Sequence, residues 1–288
     1  MSRNYTTISP SALSLLRMKG HTSIPFAQEA VALMGSANHV SLPEDVNEQL
    51  YYWMRVFHFE ARYASINSLL GDIQPKNILE LASGYSFRGL DYCINHDVHY
   101  IDTDLPEVIA LKTNLIKDLI ANNGTIFKGK LETMALNALD EQHVDHVVAR
   151  FDNNALTIMN EGLLMYLNTD EKKKVCNIIH KHLLQKGGYW ITADIYIKHP
   201  EDKVKNLKMS KEESDFFAKH QIDENKFDSE AAAEDFFKNQ GLIIDQVAHV
   251  DLRSLSAYNK LLQYVPEEVK REKKPMPKIR STWRLRAI

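Results

Sequence analysis

The stretch Ile78-Leu79-Glu80-Leu81-Ala82-Ser83-Gly84-Tyr85-Ser86-Phe87-Arg88-Gly89 holds the residues with the clearest chemical meaning. An apolar run ending in an acid, followed by small residues opening a helix, forms a tight turn whose backbone N–H groups face a ligand at close range. That suits a nucleotide-like cofactor. Dinucleotide enzymes use G-x-G-x-x-G, but Ala82 stands at the first glycine position and Phe87 stands three residues after Gly84. The chain also lacks the Gly-Lys-Ser or Gly-Lys-Thr of a phosphate-binding loop. What remains is a cofactor without a pyrophosphate.

Roughly twenty residues beyond that turn, where such folds put a carboxylate against ribose hydroxyls, the sequence reads Tyr100-Ile101-Asp102-Thr103-Asp104-Leu105-Pro106. An ionised aspartate has lone pairs for two hydroxyls at once, so Asp102 and Asp104 both qualify, and either could equally cap the helix after Pro106. Other polar candidates have plainer readings. Arg62 alone is a helix-surface arginine. Tyr85 and Tyr166 could orient an acceptor as catalytic tyrosines, or could be packing residues with a polar tip. The twelve histidines include His180 and His182, His96 and His99, and His143 and His146, with Cys176 ahead of His180. None of these sets offers a third and fourth ligand, so no metal is expected. Tyr51, Tyr52, Trp53, Phe57 and Phe59 could wall a substrate pocket, although helical spacing sends part of the group to the core. The lysine-rich Lys203 to Lys211 reads as a solvated lid face.

These residues need a scaffold of alternating strands and helices. Apolar runs at Ile78 to Leu81, Val98 to Ile101, Ala155 to Met159, Tyr189 to Ala193, Leu242 to Val247 and Arg280 to Ile288 predict six strands. The helices between them imply a doubly wound, mostly parallel α/β sheet. Ahead of the sheet, Ser9-Pro10 opens a short helix over Ser11 to Met18. A longer one carries Val46, Leu50, Trp53, Met54, Phe57, Ala61 and Ala64 and stops at Gly71. Asn168 and Glu171 form a capping box for a helix closed by Gly187-Gly188, and Ser229 caps one that ends before Gly241. The expected organisation is a helical extension over 1–71, a cofactor-binding core over 72–200, a charged lid insertion over 201–230, and a helix and strands over 231–288 completing the sheet.

At 288 residues with 44% hydrophobic and 25% charged side chains, the chain can bury a core unaided. A net charge of −3 gives no basic field for nucleic acid or acidic membrane. The two cysteines, Cys93 and Cys176, read as free thiols, and no segment is apolar enough for export or insertion. A cytoplasmic protein with a small-molecule acceptor, and without nucleic-acid or membrane partners, is expected.

The three motifs ELASGYSFRGL, YIDTDLPEVI and NEGLLMYLNTDE, in this order, resemble the leucine carboxyl methyltransferase family, in particular its bacterial polyketide-type O-methyltransferases, over about Ile8 to Tyr196. The resemblance implies a class I, Rossmann-like fold that binds S-adenosyl-L-methionine and releases S-adenosyl-L-homocysteine. It makes Glu80, Ala82 and Gly84 the methionine-side cradle and chooses Asp104 over Asp102 as the ribose ligand. Glu161 becomes a cofactor contact, Asn137 and Ala138 lie beside adenine, and Arg62 meets the cofactor carboxylate, which a guanidinium fork suits. Ala82 replaces a common glycine, which costs little if φ there is negative, and Asn137 replaces a common aspartate.

The expected reaction is O-methylation of a carboxylate or hydroxyl on a small acidic metabolite. A protein C-terminal carboxylate and a non-catalytic cofactor-binding role are the alternatives. A carboxylate acceptor needs no base, whereas for a hydroxyl His58 or His199 would serve.

Overall fold

The computed structural model describes residues 9–35, 45–124, 126–198, 211–271 and 280–288. Three helices come first: α1 (Ser9–Lys19), α2 (Ala27–Leu33) and α3 (Val46–Ile73). The alternating core follows as β1 (Asn77–Leu81), α4 (Arg88–Asn95), β2 (His99–Asp104), α5 (Pro106–Asn123), β3 (Lys130–Ala135), α6 (Glu141–Val148), β4 (Leu156–Asn160), α7 (Thr169–Lys186) and β5 (Gly188–Tyr196). The last part holds α8 (Lys211–Lys219), α9 (Glu230–Lys238), β6 (Leu242–Val247), α10 (Ser256–Leu262), α11 (Glu267–Arg271) and β7 (Arg280–Ala287).

The sheet has seven strands in the order β3-β2-β1-β4-β5-β7-β6. Pairings from β3 across to β5 are parallel, and β7 runs antiparallel between β5 and β6. Six strands are expected from the sequence, so β3 is an addition. Its Lys-Leu-Glu-Thr-Met-Ala lacks an apolar run because it is an edge strand, with Glu132 paired to His99 and Lys130. Chain order reverses between β1 and β4, the switch point at which open α/β sheets bind ligands.

Local rules explain most element ends. Asn168 and Glu171 form the reciprocal capping box on α7, Asp45 caps α3, and Ser229 caps α9. The stop expected at Gly71 is not used. The helix continues to Ile73, and Gln74 closes it in the left-handed conformation. A glycine inside a helix costs only about 1 kcal/mol, and burial of Ile66, Leu69 and Leu70 under the sheet offsets that.

One apolar layer packs α6, α7 and α9 on one face of the sheet around Trp190, Phe237 and Trp283. On the other face, α3 and α4 pack through Ile66, Leu70 and Cys93, while α1 and α2 close against α5. Cys93 and Cys176 are buried and free, as expected. Of the aromatic group on α3, Tyr52, Trp53 and Phe57 pack into a cluster with Leu255 and Leu261 around α10.

Candidate functional site

A cavity of about 930 Å³ opens over the carboxyl ends of β1, β2, β4 and β5 and the residues just after β3, beneath α1, α3 and α8. That volume is near the upper end of ligand pockets, large enough for a nucleoside cofactor and an acceptor side by side. Nine of the ten residues proposed from the sequence line it: Arg62, Ala82, Gly84, Tyr85, Asp104, Asn137, Ala138, Glu161 and Tyr166. Glu80 does not.

Glu80 points into the core beneath the turn, fully buried, with the Tyr100 hydroxyl donating to it at 2.5 Å. Burial pushes its carboxyl up to about 7, against the opposing pull of Arg88. Asp102 is equally buried, with its Oδ1 3.0 Å from Lys112 Nζ. The choice between the two aspartates is therefore geometric: Asp102 faces Lys112, and Asp104 faces the cavity. Asp104 accepts from Gly84 N and Leu105 N, each at 2.7 Å, one bond per oxygen. Each oxygen keeps a lone pair for a ligand hydroxyl. Ala82 differs from expectation: its φ is 50°, beside Gly84 at 51°, so an alanine holds a left-handed turn where glycine would carry no side-chain penalty.

The strongest electrostatic feature surrounds Glu161. Its carboxylate accepts from Lys19 Nζ at 2.7 Å, Arg62 Nε at 3.2 Å and Arg88 Nη2 at 2.7 Å. Burial alone would raise this carboxyl, but the three cations hold it well below the ordinary carboxylate range. Three cationic groups share this one carboxylate, and burial pulls Lys19 below its ordinary value while Glu161 opposes that. Lys19 and Arg62 face the cavity, while Arg88 stands behind, stacked 3.9 Å above the Tyr63 ring centroid. Arg62 is 2% exposed, not the surface arginine its isolated context suggests. Gly162, with φ at 91°, lies against the Arg62 guanidinium. A desolvated pair of this kind can pair with a small anion such as a carboxylate.

Beyond Arg62 the character changes. Its Nη1 donates to the Tyr196 hydroxyl at 3.0 Å, and that hydroxyl lies 3.0 Å from His58 Nε2. Burial, reinforced by Arg280, Arg62 and Arg55, holds His58 well below its usual value, so the ring is neutral at physiological pH. Tyr51, Met54, Phe59, Met165, Phe216 and Phe217 give this end an apolar, aromatic wall. Tyr166 hydrogen-bonds Ser11 at 3.3 Å and meets Phe216 edge-on. Helix α8 is held to α3 by Glu213, which pairs with Arg55 at 2.5 Å and accepts from Tyr51 at 3.0 Å. His199 and all of Lys203 to Lys211 except Lys211 lie outside the described residues.

Lys19, Arg88 and Tyr196 are site residues the sequence reading missed, on α1, α4 and β5. Arg88 sits in the informative turn motif itself, where a charge among small residues is a usable signal. Among the described residues no group of three His, Cys, Asp or Glu could hold a metal, and no helix is long and apolar enough to cross a membrane.

A family model described as leucine carboxyl methyltransferase matches residues 9–180, more than half of the chain. No curated protein sequence matches. Similar solved structures include a LepI variant in complex with SAH and a substrate analogue, at 10% identity over 74% of this chain and 43% of that one, TM-score 0.45. Another is magnesium protoporphyrin IX methyltransferase from Synechocystis PCC 6803 with bound SAH, at 9% identity over 92% and 96% of the two chains, TM-score 0.48. A third is an O-methyltransferase family protein from Burkholderia thailandensis, at 13% identity over 83% and 60%, TM-score 0.47. The chain spans less than half the length of the LepI chains it matches.

Proposed function

The chain belongs to the leucine carboxyl methyltransferase family, and from that premise we propose that it transfers the methyl group of S-adenosylmethionine to a carboxylate oxygen of a small, largely apolar acid. The observation that carries the cofactor part of this reading is the Lys19, Arg62, Arg88 and Glu161 cluster beside a cavity that is also lined by aromatic side chains, and the family supports a carboxylate as acceptor. The residues present fit the cofactor: Lys19 and Arg62 would take its carboxylate, Asp104 its ribose hydroxyls, and Asn137 and Ala138 would flank adenine. The turn of Ala82, Ser83 and Gly84 supports close approach of the methionine side. When bound, the cofactor supplies an electrophilic methyl carbon on a sulfonium sulfur.

The chain's own contribution is to bind, orient and exclude water, from which most catalysis of an in-line displacement can come. A carboxylate acceptor is ionised at neutral pH and needs no base. Burial and the surrounding arginines make His58 a weak base, which suits an acceptor that carries no proton to remove. Arg62 donates to Tyr196, which aligns a phenolic hydroxyl beside the acceptor end. Phe59, Phe216 and Phe217 favour an acid with an apolar, ring-bearing body, and the breadth of the cavity supports a small molecule over a peptide C-terminus. The test is incubation with S-adenosylmethionine labelled in its methyl group and a panel of aromatic carboxylic acids with matched phenols. Label in a product that mild base hydrolyses to methanol is the expected ester. Transfer to phenols alone, as base-stable ethers, would overturn the carboxylate assignment.

A further inference from the structure

The two turns at the sheet's switch point are held in the same way. In the β1–β2 pairing the last partners are Glu80 and Asp102, and two residues on Asp104 catches the Gly84 amide of the turn leaving β1. In the β4–β5 pairing the last partners are Asn160 and Thr192, and two residues on stands Asp194. Asp194 accepts from Gly162 N at 2.7 Å, Leu163 N at 2.6 Å and Leu164 N at 3.0 Å. Asn160 Nδ2 adds a fourth donor at 2.6 Å, while its own oxygen accepts from Trp190 Nε1 at 2.7 Å. Three consecutive backbone amides and a side-chain amide converge on one carboxylate that is 2% exposed.

The β5–β7 register shifts between Thr192 and Ile195, so Asp194 stands in an irregular stretch of the strand. The two aspartates differ in what they face: Asp104 lines the cavity and takes two donors from the chain, whereas Asp194 takes four, three of them on Oδ2, and does not line the cavity. The turn it holds begins with Glu161, which fixes Lys19 and Arg62, and includes Gly162, against which Arg62 lies.

We infer that Asp194 is a positioning residue for cofactor recognition: by fixing the amides of residues 162–164 it sets Glu161 and, through it, the two cations that read the cofactor's carboxylate. The inference rests on the proposed cofactor reading. Asparagine at 194 would keep the size and, with its oxygen under Leu163 N, Leu164 N and Asn160 Nδ2, would turn its NH2 toward the Gly162 amide, which is itself a donor, so a single-atom change breaks the bond beside Glu161 and removes the charge from the others.

The test compares wild type with Asp194→Asn by calorimetry, using S-adenosylhomocysteine and 5′-methylthioadenosine, which share the nucleoside while only the former has the amino-acid carboxylate. Amide exchange at residues 162–164, read without ligand, accompanies it. The expected result is S-adenosylhomocysteine binding weakened at least about tenfold, the loss of one charge-assisted hydrogen bond. Methylthioadenosine binding should stay within about threefold, and the three amides should exchange faster. Equal weakening of both ligands, or unchanged S-adenosylhomocysteine affinity in the folded variant, overturns the assignment. Should the variant not fold, wild-type exchange decides: amides at 162–164 as slow as those of β4 support it, and rates of an open turn refute it. Failure of wild type to bind either nucleoside with these amides protected would refute the cofactor reading, and cofactor positioning by Asp194 with it, while leaving its hold on the turn intact.

Discussion

Replacing Glu161 with glutamine removes one charge and almost no volume, so its cost measures the cation cluster directly. The carboxylate has three cationic donors at 2.7, 3.2 and 2.7 Å, and its side chain is 4% exposed. Two unit charges at about 4 Å interact by roughly 4 kcal/mol at an effective dielectric near 20. Much of that offsets the desolvation of buried ions, and removing one partner of such a group costs about 3–5 kcal/mol because the others remain buried and uncompensated. Against a total stability of roughly 5–15 kcal/mol, this is a large loss. The sign with pH is also fixed. The carboxyl lies well below its ordinary 4.5, so its stabilising contribution is full above pH 4.5 and is lost as pH falls from there toward the depressed value. Urea unfolding of wild type and Glu161→Gln should therefore show a gap of about 3–5 kcal/mol at pH 7. By pH 3.5 it should narrow by about 1.4 kcal/mol, one pH unit of linkage. A gap under about 1 kcal/mol at pH 7, or one that does not change with pH, would refute the reasoning.

Two further outcomes follow from the same geometry. Ala82→Gly removes a left-handed alanine but frees the unfolded chain; the first effect is about 1–2 kcal/mol and the second about 0.4–1. Differential scanning calorimetry should show a net gain of about 0.5–1 kcal/mol and a melting point higher by roughly 1–3 °C, and a lower melting point would mean that φ at 82 is not strained. The His58 ring, buried among Arg280, Arg62 and Arg55, should remain neutral from pH 6 to 8 in imidazole NMR spectra, and a titration midpoint at or above 6.5 would mean that burial and these arginines do not hold it down.

Much of this architecture was legible because local signals agreed with tertiary ones. Asn168 with Glu171, Ser229, and the apolar run from Ile78 to Leu81 specify their own conformations, and the acid expected about twenty residues after the turn stands there as Asp104, 2.7 Å from Gly84 N. What escaped depends on the partners a residue meets. Lys130 and Glu132 make β3 read as a polar segment, since an edge strand need not be apolar on both faces. Gly71 and Ala82 each adopt what their surroundings impose: one helical despite being glycine, the other left-handed despite having a β-carbon. Lys19 and Arg88 look like surface charges until the fold brings them to Glu161, and burial of a charge is a property of its partners. Glu80 shows the converse, an acid in the cofactor motif that faces the core. Asp194 and Tyr196 stand two apart on one strand, and only the fold gives them their partners, the amides after β4 for Asp194 and Arg62 and His58 of α3 for Tyr196.

The most direct test of the central claim is calorimetric titration of the folded protein with S-adenosylmethionine and S-adenosylhomocysteine, beside Asp104→Ala and Arg62→Ala. The account predicts dissociation constants of about 1–100 µM for wild type and weakening of at least about tenfold, or 1.4 kcal/mol, in each variant. Folded wild type that binds neither ligand, or variants that bind both as wild type does, would contradict it.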